Sequence, residues 1–225
     1  MKHLFTFLIL QFAIIGAFAQ AQSDSNYSIG LKLLSIAEQP KLLNEVRDNY
    51  TFYTSGLNGL MLKINDNQIS YRFSGNSFKK NDYSFNNECS NCEIVKGKYS
   101  SLDLKMGFER SLIYSRLQPY YGMDFGYKKV DFEGFSNDKS TNFALYDVNI
   151  EKNGFMVTPF LGLKFNFLRS LTLAAEAGFD FIYTSDKEIK TPTNTTATST
   201  ANFNRWQYNL RPLAQLNLQF NFGKD

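Results

Sequence analysis

The segment Leu213-Ala214-Gln215-Leu216-Asn217-Leu218-Gln219-Phe220-Asn221-Phe222 alternates between apolar and amide side chains with almost no break. Ala214, Leu216, Leu218, Phe220 and Phe222 fall on one side; Gln215, Asn217, Gln219 and Asn221 fall on the other. A period of two marks a strand, because successive Cβ atoms point to opposite faces of a sheet. In a sheet surrounded by water the apolar face would be the inner one. The other end of the chain argues for the reverse. Lys2 precedes an apolar run from Leu4 to Phe18, and Ala17-Phe18-Ala19 supplies a small-x-small cleavage pattern before Gln20. Residues 1–19 therefore read as a cleaved export signal, too short for a spanning anchor and with no cysteine beside the cleavage point to carry a lipid. With an export signal at one end and the alternating strand three residues from the other, the expected orientation is apolar side outward into lipid and amide side around a polar lumen.

Composition agrees with that orientation. Residues 20–225 suit one domain. Mean hydropathy is slightly polar, yet 16% of residues are aromatic, with 22 Phe and 13 Tyr. Strands whose faces alternate between lipid and water produce this combination. Within 20–225 no apolar run approaches the roughly 18 residues that a spanning helix needs. Net charge is +3 with no block of Lys or Arg, which leaves nucleic-acid binding without an electrostatic footprint.

Seven further stretches share the terminal pattern. Tyr27–Ser35 sets Tyr27, Ile29, Leu31 and Leu33 against Ser28, Gly30 and Lys32, and Gly59–Ile64 sets Leu60, Leu62 and Ile64 against Met61 and Lys63. Ile69–Ser74 follows a turn-forming run, and Ser101–Arg110 opposes Leu102, Leu104, Met106 and Phe108 to Asp103, Lys105, Gly107 and Glu109. Leu117–Lys129, Phe155–Phe167, Leu171–Thr184 and Arg205–Phe222 complete the set. Long polar connections are expected at 36–55, 77–98, 133–153 and 186–204, and short ones at 65–68, 111–116 and 168–170. Lys41–Val46 could form a helical turn in the first long loop. This alternation predicts an all-β fold, an eight-stranded antiparallel up-and-down transmembrane barrel, with short turns on the inner side of the membrane and long loops outside.

The chain resembles the small outer-membrane β-barrel proteins of Gram-negative bacteria, often called porin-like or outer-membrane protein A-like barrels. The resemblance covers nearly all of 20–225 and rests on the alternation, the loop rhythm, the export signal and the terminal aromatic segment. It implies that Leu216, Leu218, Phe220 and Phe222 form an assembly signal read by the barrel-assembly machinery. The usual form ends at the aromatic itself, whereas Gly223-Lys224-Asp225 follow here. Nothing resembles the peptidoglycan-binding domain of some relatives.

Inward positions carry Lys32, Lys63, Arg72, Lys105, Lys128, Lys164, Arg205 and Arg211 together with Asp103, Glu109, Asp124, Glu176 and Asp180. Mixed signs in an interior just wide enough for side chains favour mutual pairing as a plug, because unpaired burial is costly. The alternative is an ion pathway or a binding site. Lys164 is the expected partner of Glu176 and Asp180. Cys89 and Cys92 lack a second pair or a histidine for a metal or haem, and in an exported chain they read as a loop disulfide.

Barrel enzymes of the outer membrane use a catalytic histidine as general base. The only histidine, His3, lies in the export signal, so no catalytic site, cofactor or metal is expected. Tyr27, Tyr71, Tyr121, Tyr127, Tyr183, Trp206 and Tyr208 suit an interfacial girdle. Thr191–Asn202 reads as a mobile low-complexity loop tip. The expected protein is thus a monomeric, integral outer-membrane barrel with a structural or surface-interaction role, meeting membrane lipids and lipopolysaccharide. A small-solute channel of porin type is the alternative, and a lipocalin-like carrier with its apolar face inward is a third reading.

Overall fold

The computed structural model describes residues 25–47, 52–66, 68–195 and 197–223; the export signal expected at 1–19 lies outside them. Eight strands follow one another: β1 (Tyr27–Glu38), β2 (Phe52–Asp66), β3 (Ile69–Asn87), β4 (Glu93–Ser111), β5 (Leu117–Asp138), β6 (Ala144–Leu168), β7 (Leu171–Pro192) and β8 (Ser199–Phe222). Each pairs antiparallel with its neighbours in sequence, and β8 closes on β1 to complete a barrel. Tyr27 stands opposite both Ile64 and Phe222, so the opening and terminal alternating segments form the closing seam. The eight-stranded antiparallel up-and-down barrel is thus the observed fold.

The orientation of the faces also follows the alternation. Leu60, Leu62, Tyr71, Phe73, Leu104, Met106, Phe155, Leu161, Trp206 and Phe220 are exposed on the outside of the ring. Lys63, Arg72, Asp103, Lys105, Glu109 and Glu176, their sequence neighbours in the opposite phase, are buried inside. An inward apolar face, as a lipocalin-like carrier requires, is absent from this portion of the wall.

The strands run well beyond the predicted ones. Segments 77–87, 93–98, 133–138, 144–153, 186–192 and 199–204, expected in loops, continue β3 through β8. The connections there shrink to 88–92, 139–143 and 193–198, and half of Thr191–Asn202 is hairpin strand rather than loop tip. The cause is a reversal of polarity at constant parity. On β6, Leu161, Val157 and Phe155 point outward, and the same face continues as Asn153, Glu151, Asn149 and Asp147. The inner face changes the other way, from Lys164 and Thr158 to Ile150 and Val148. Past the outward apolar belt the wall becomes an ordinary sheet with a dry inside and a wet outside.

The first loop departs from expectation too. No helical turn forms at Lys41–Val46: a turn at Leu43–Asn44 leads to a bridge between Glu45 and Asn87, so the loop adds itself to the end of β3. Val46 N donates to Asn86 O (3.0 Å) and Glu88 N to Asn44 O (3.1 Å). β2 pairs with β3 only up to Gly59 and Asn76, whereas β3 stays paired with β4 as far as Asn87 and Glu93.

Candidate functional site in the barrel interior

Arg72, on β3, is the hub of the interior. Its Nε and Nη2 donate to the two Asp124 carboxylate oxygens on β5 at 2.7 and 2.6 Å. Nη1 and Nη2 reach Glu176 on β7 at 2.6 and 3.1 Å, and Nη1 lies 3.3 Å from Glu109 on β4. Two forked contacts of this kind fix the guanidinium plane as well as its charge. One face of that plane rests 3.7 Å from the Phe160 ring centroid. Glu109 also accepts from Lys63 (2.7 Å) and lies 2.6 Å from Lys164 Nζ, while Tyr120 Oη donates to Glu176 (2.8 Å). Three cations, Lys63, Arg72 and Lys164, therefore meet three carboxylates, Glu109, Asp124 and Glu176. Lys164 does not pair with Glu176 or Asp180 as expected; the tilt of the strands brings it to Glu109 instead, across β5.

Space for the two interior rings comes from missing side chains. A Cβ at Gly162 would meet the Tyr120 ring at 2.4 Å, and one at Gly122 would meet Phe160 at the same distance.

A second group joins all five strands from β4 to β8. Asp103 accepts from Lys128 (2.8 Å) and Arg211 (2.7 Å). Asp180 lies 2.7 Å from Arg211 Nε and accepts from Lys105 (3.0 Å) and Thr158 (2.6 Å). Lys32 donates to Asn76 Oδ1 rather than to an acid. Between the two groups, a cavity of about 10 Å³ is lined by Lys32, Arg72, Lys105, Asp124, Glu176 and Arg211. That is room for about one water molecule. Toward the short turns the interior widens into a polar bowl of about 600 Å³ whose lining includes Lys164, Ser111 and Gln219.

Arg205 belongs elsewhere. It pairs with Asp186 (2.6 Å), which also meets Lys152 (3.1 Å), at the outer mouth above the charge groups. Lys152 Nζ donates to the Lys41 carbonyl (2.6 Å), which anchors the first loop. Leu42 and Leu43 of that loop insert among Tyr83, Phe85, Val95, Tyr99, Val130, Phe132, Val148 and Ile150, a buried apolar cluster across the mouth. Glu45 and Arg47 pair at 2.7 Å, and Arg47 donates to the Gln39 carbonyl (2.6 Å). Burial opposes the charge of Arg47, but the adjoining Glu45 carboxylate more than offsets it and holds the guanidinium above its ordinary pKa.

Cys89 and Cys92 form a disulfide in the β3–β4 hairpin. Phe220 and Phe222 lie exposed on the outer face, and Leu216 and Leu218 are half-buried beside them. The mouth cluster and the role of Tyr120 and Phe160 were missed from sequence. The signal for the first was an apolar Val-x-Phe and Val-x-Ile alternation at 130–132 and 148–150 inside stretches otherwise rich in charge.

No protein-family model matches the chain, and no curated protein is similar to it by sequence. Among solved structures it is similar to a major outer membrane protein from Thermus thermophilus, with a TM-score of 0.51 and 11% identity. That match covers 87% of this chain and 99% of the other. At this identity the likeness is one of fold.

Proposed function

We propose that the chain is a non-enzymatic, monomeric outer-membrane β-barrel of the porin-like, outer-membrane protein A-like kind, with a closed lumen and a structural or surface-interaction role. The observation that carries this reading is that side chains fill the interior at two levels. Paired charges cross it inside the apolar belt, and the Leu42–Leu43 cluster packs across the outer mouth. An outward belt of exposed Leu, Phe and Tyr around a charged inside is the pattern of a wall that faces hydrocarbon. The outer hairpins then present Lys96, Lys98, Glu133, Asp147 and Asn149 toward lipopolysaccharide, a partner protein or a host surface.

Planar-bilayer recording separates this reading from a small-solute channel. The purified protein is expected to insert without steady conductance; reproducible open levels of uniform size would overturn the closed lumen.

The terminal strand supports a second element of the proposal, recognition by the barrel-assembly machinery. Phe220 faces outward and stands opposite both Ile29 and Leu171, so it also belongs to the closing seam. The Phe220→Asp variant is expected to lose most heat-modifiable, folded protein in the envelope. Refolding of the purified variant into vesicles distinguishes the causes: normal refolding there points to recognition, and failure in both settings to the seam alone.

A further inference from the structure

The outward apolar belt has very different heights on opposite walls. On β3 it runs from Ile69 to Phe73 and then gives way, past Gly75, to Ser77 and Lys79. On β4 it runs from Phe108 to Leu102 and gives way to Ser100 and Lys98. β2 beside them exposes Leu60, Leu62 and Ile64 and, further along, Leu57 and Phe52, so the short wall is confined to β3 and β4. Across the ring, β6 is apolar outward from Phe167 to Phe155 and β7 from Leu171 to Tyr183. Strand rise and a tilt of 35–45° convert these runs into about 10–15 Å on the short wall and about 30 Å on the tall one. A belt of about 25 Å is usual for such barrels.

Tilting the whole barrel does not remove the difference, because tilt moves the upper and lower margins of one wall together. Lys79 and Lys98 can carry their charges upward along apolar stems. Ser77 and Ser100 have no such reach, and a flat bilayer would bury them in hydrocarbon. The short run is also continuous with the rest of the belt: Phe73 stands opposite Leu62 and Met106. The surface meeting it is therefore the same lipid that covers the neighbouring strands.

We propose that the β3–β4 wall holds a locally thinned bilayer, so that the barrel sits in a wedge-shaped collar of lipid, thin at β3 and full at β7. This rests on the membrane reading above. The thinning adapts lipid to a short apolar wall at a cost that grows with the thickness of the host bilayer.

The test refolds the purified protein into fluid vesicles of monounsaturated phosphatidylcholines of increasing chain length. The folded fraction is expected to be greatest in the thinnest vesicles and to fall at least about twofold toward the thickest. The Ser77→Leu, Ser100→Leu double variant raises the short wall and is expected to move the optimum to longer chains. The Asn153→Leu, Ser185→Leu double variant extends the tall wall and is expected to leave the optimum unchanged or move it less. A wild-type protein indifferent to chain length would overturn the proposal, and would favour a protein partner on that wall. Equal shifts in both double variants would overturn it as well. No folding at any thickness would instead refute the membrane reading itself.

Discussion

Replacing Arg72 by leucine is expected to lower the unfolding free energy of the barrel by about 3–5 kcal/mol, the usual cost of breaking a buried ion pair from one side. The side chain is almost fully buried, and its loss leaves Asp124 and Glu176 facing each other with their forked donors gone. Lys63 and Lys164 cannot replace it, because both are bound to Glu109. Urea unfolding followed by gel migration of unheated samples measures the effect. The Arg72→Lys variant keeps the charge but loses the two-pronged contacts, so it should fall between the wild type and the leucine variant. A triple replacement of Arg72, Asp124 and Glu176 by leucine or methionine should recover much of the loss, since a buried ion pair has little net worth against well-packed apolar groups. A change below about 1 kcal/mol in Arg72→Leu would mean that water screens these charges and that the lumen is wetter than its packing indicates.

The Leu42→Ala variant has the second large effect, about 2–5 kcal/mol, set by the cavity it leaves in a cluster where Leu42 has no exposed surface. The loss is local. Leu42 is held among β3–β6 above the charge groups, and the seam between β1 and β8 does not touch it. Amide exchange at Val46 and Glu88, whose N–H groups tie the loop to the end of β3, should accelerate strongly while the β4–β5 ladder stays protected. Unchanged exchange at those two amides would show that the Lys152 and Arg47 contacts hold the loop without its leucines. If the lumen is closed as proposed, neither variant alone is expected to conduct, because each leaves the other layer of contacts in place.

The parts of this fold legible in sequence are those where apolar residues keep one parity and one destination. Ser101–Arg110 and Leu171–Thr184 show every outward and inward side chain in the observed phase, and the short turns between strands fall where polar residues interrupt them. The missed part of the wall has the same period with its polarity exchanged. Val130 and Phe132 continue the parity of Asp124 and Lys128, so the inward face carries charge at one height and apolar groups at the next. A reading that equates polar stretches with loops stops at that reversal.

Bulges add a second obstacle. The pairing slips between Lys80 and Tyr83 and between Glu176 and Gly178, and each slip moves side chains relative to their neighbours with no mark in composition. The inward set could be listed from alternation, but its partners could not. Strand tilt decides which residues share a height, which is why Lys164 meets Glu109 from two strands away and Arg205 leaves the set for the mouth.

The seat of the first loop imposes an order on how the chain comes together. Leu42 is among the first fifty residues, yet the groups that enclose it arrive with β3, β4, β5 and finally β6, where Val148 and Ile150 lie. The loop has nothing to settle into while only the leading hairpin exists, and Lys152, which holds the Lys41 carbonyl, comes from that same late strand. Formation of the first hairpin must therefore precede the closing of its own lid. The mouth can be stoppered only after most of the wall is already standing.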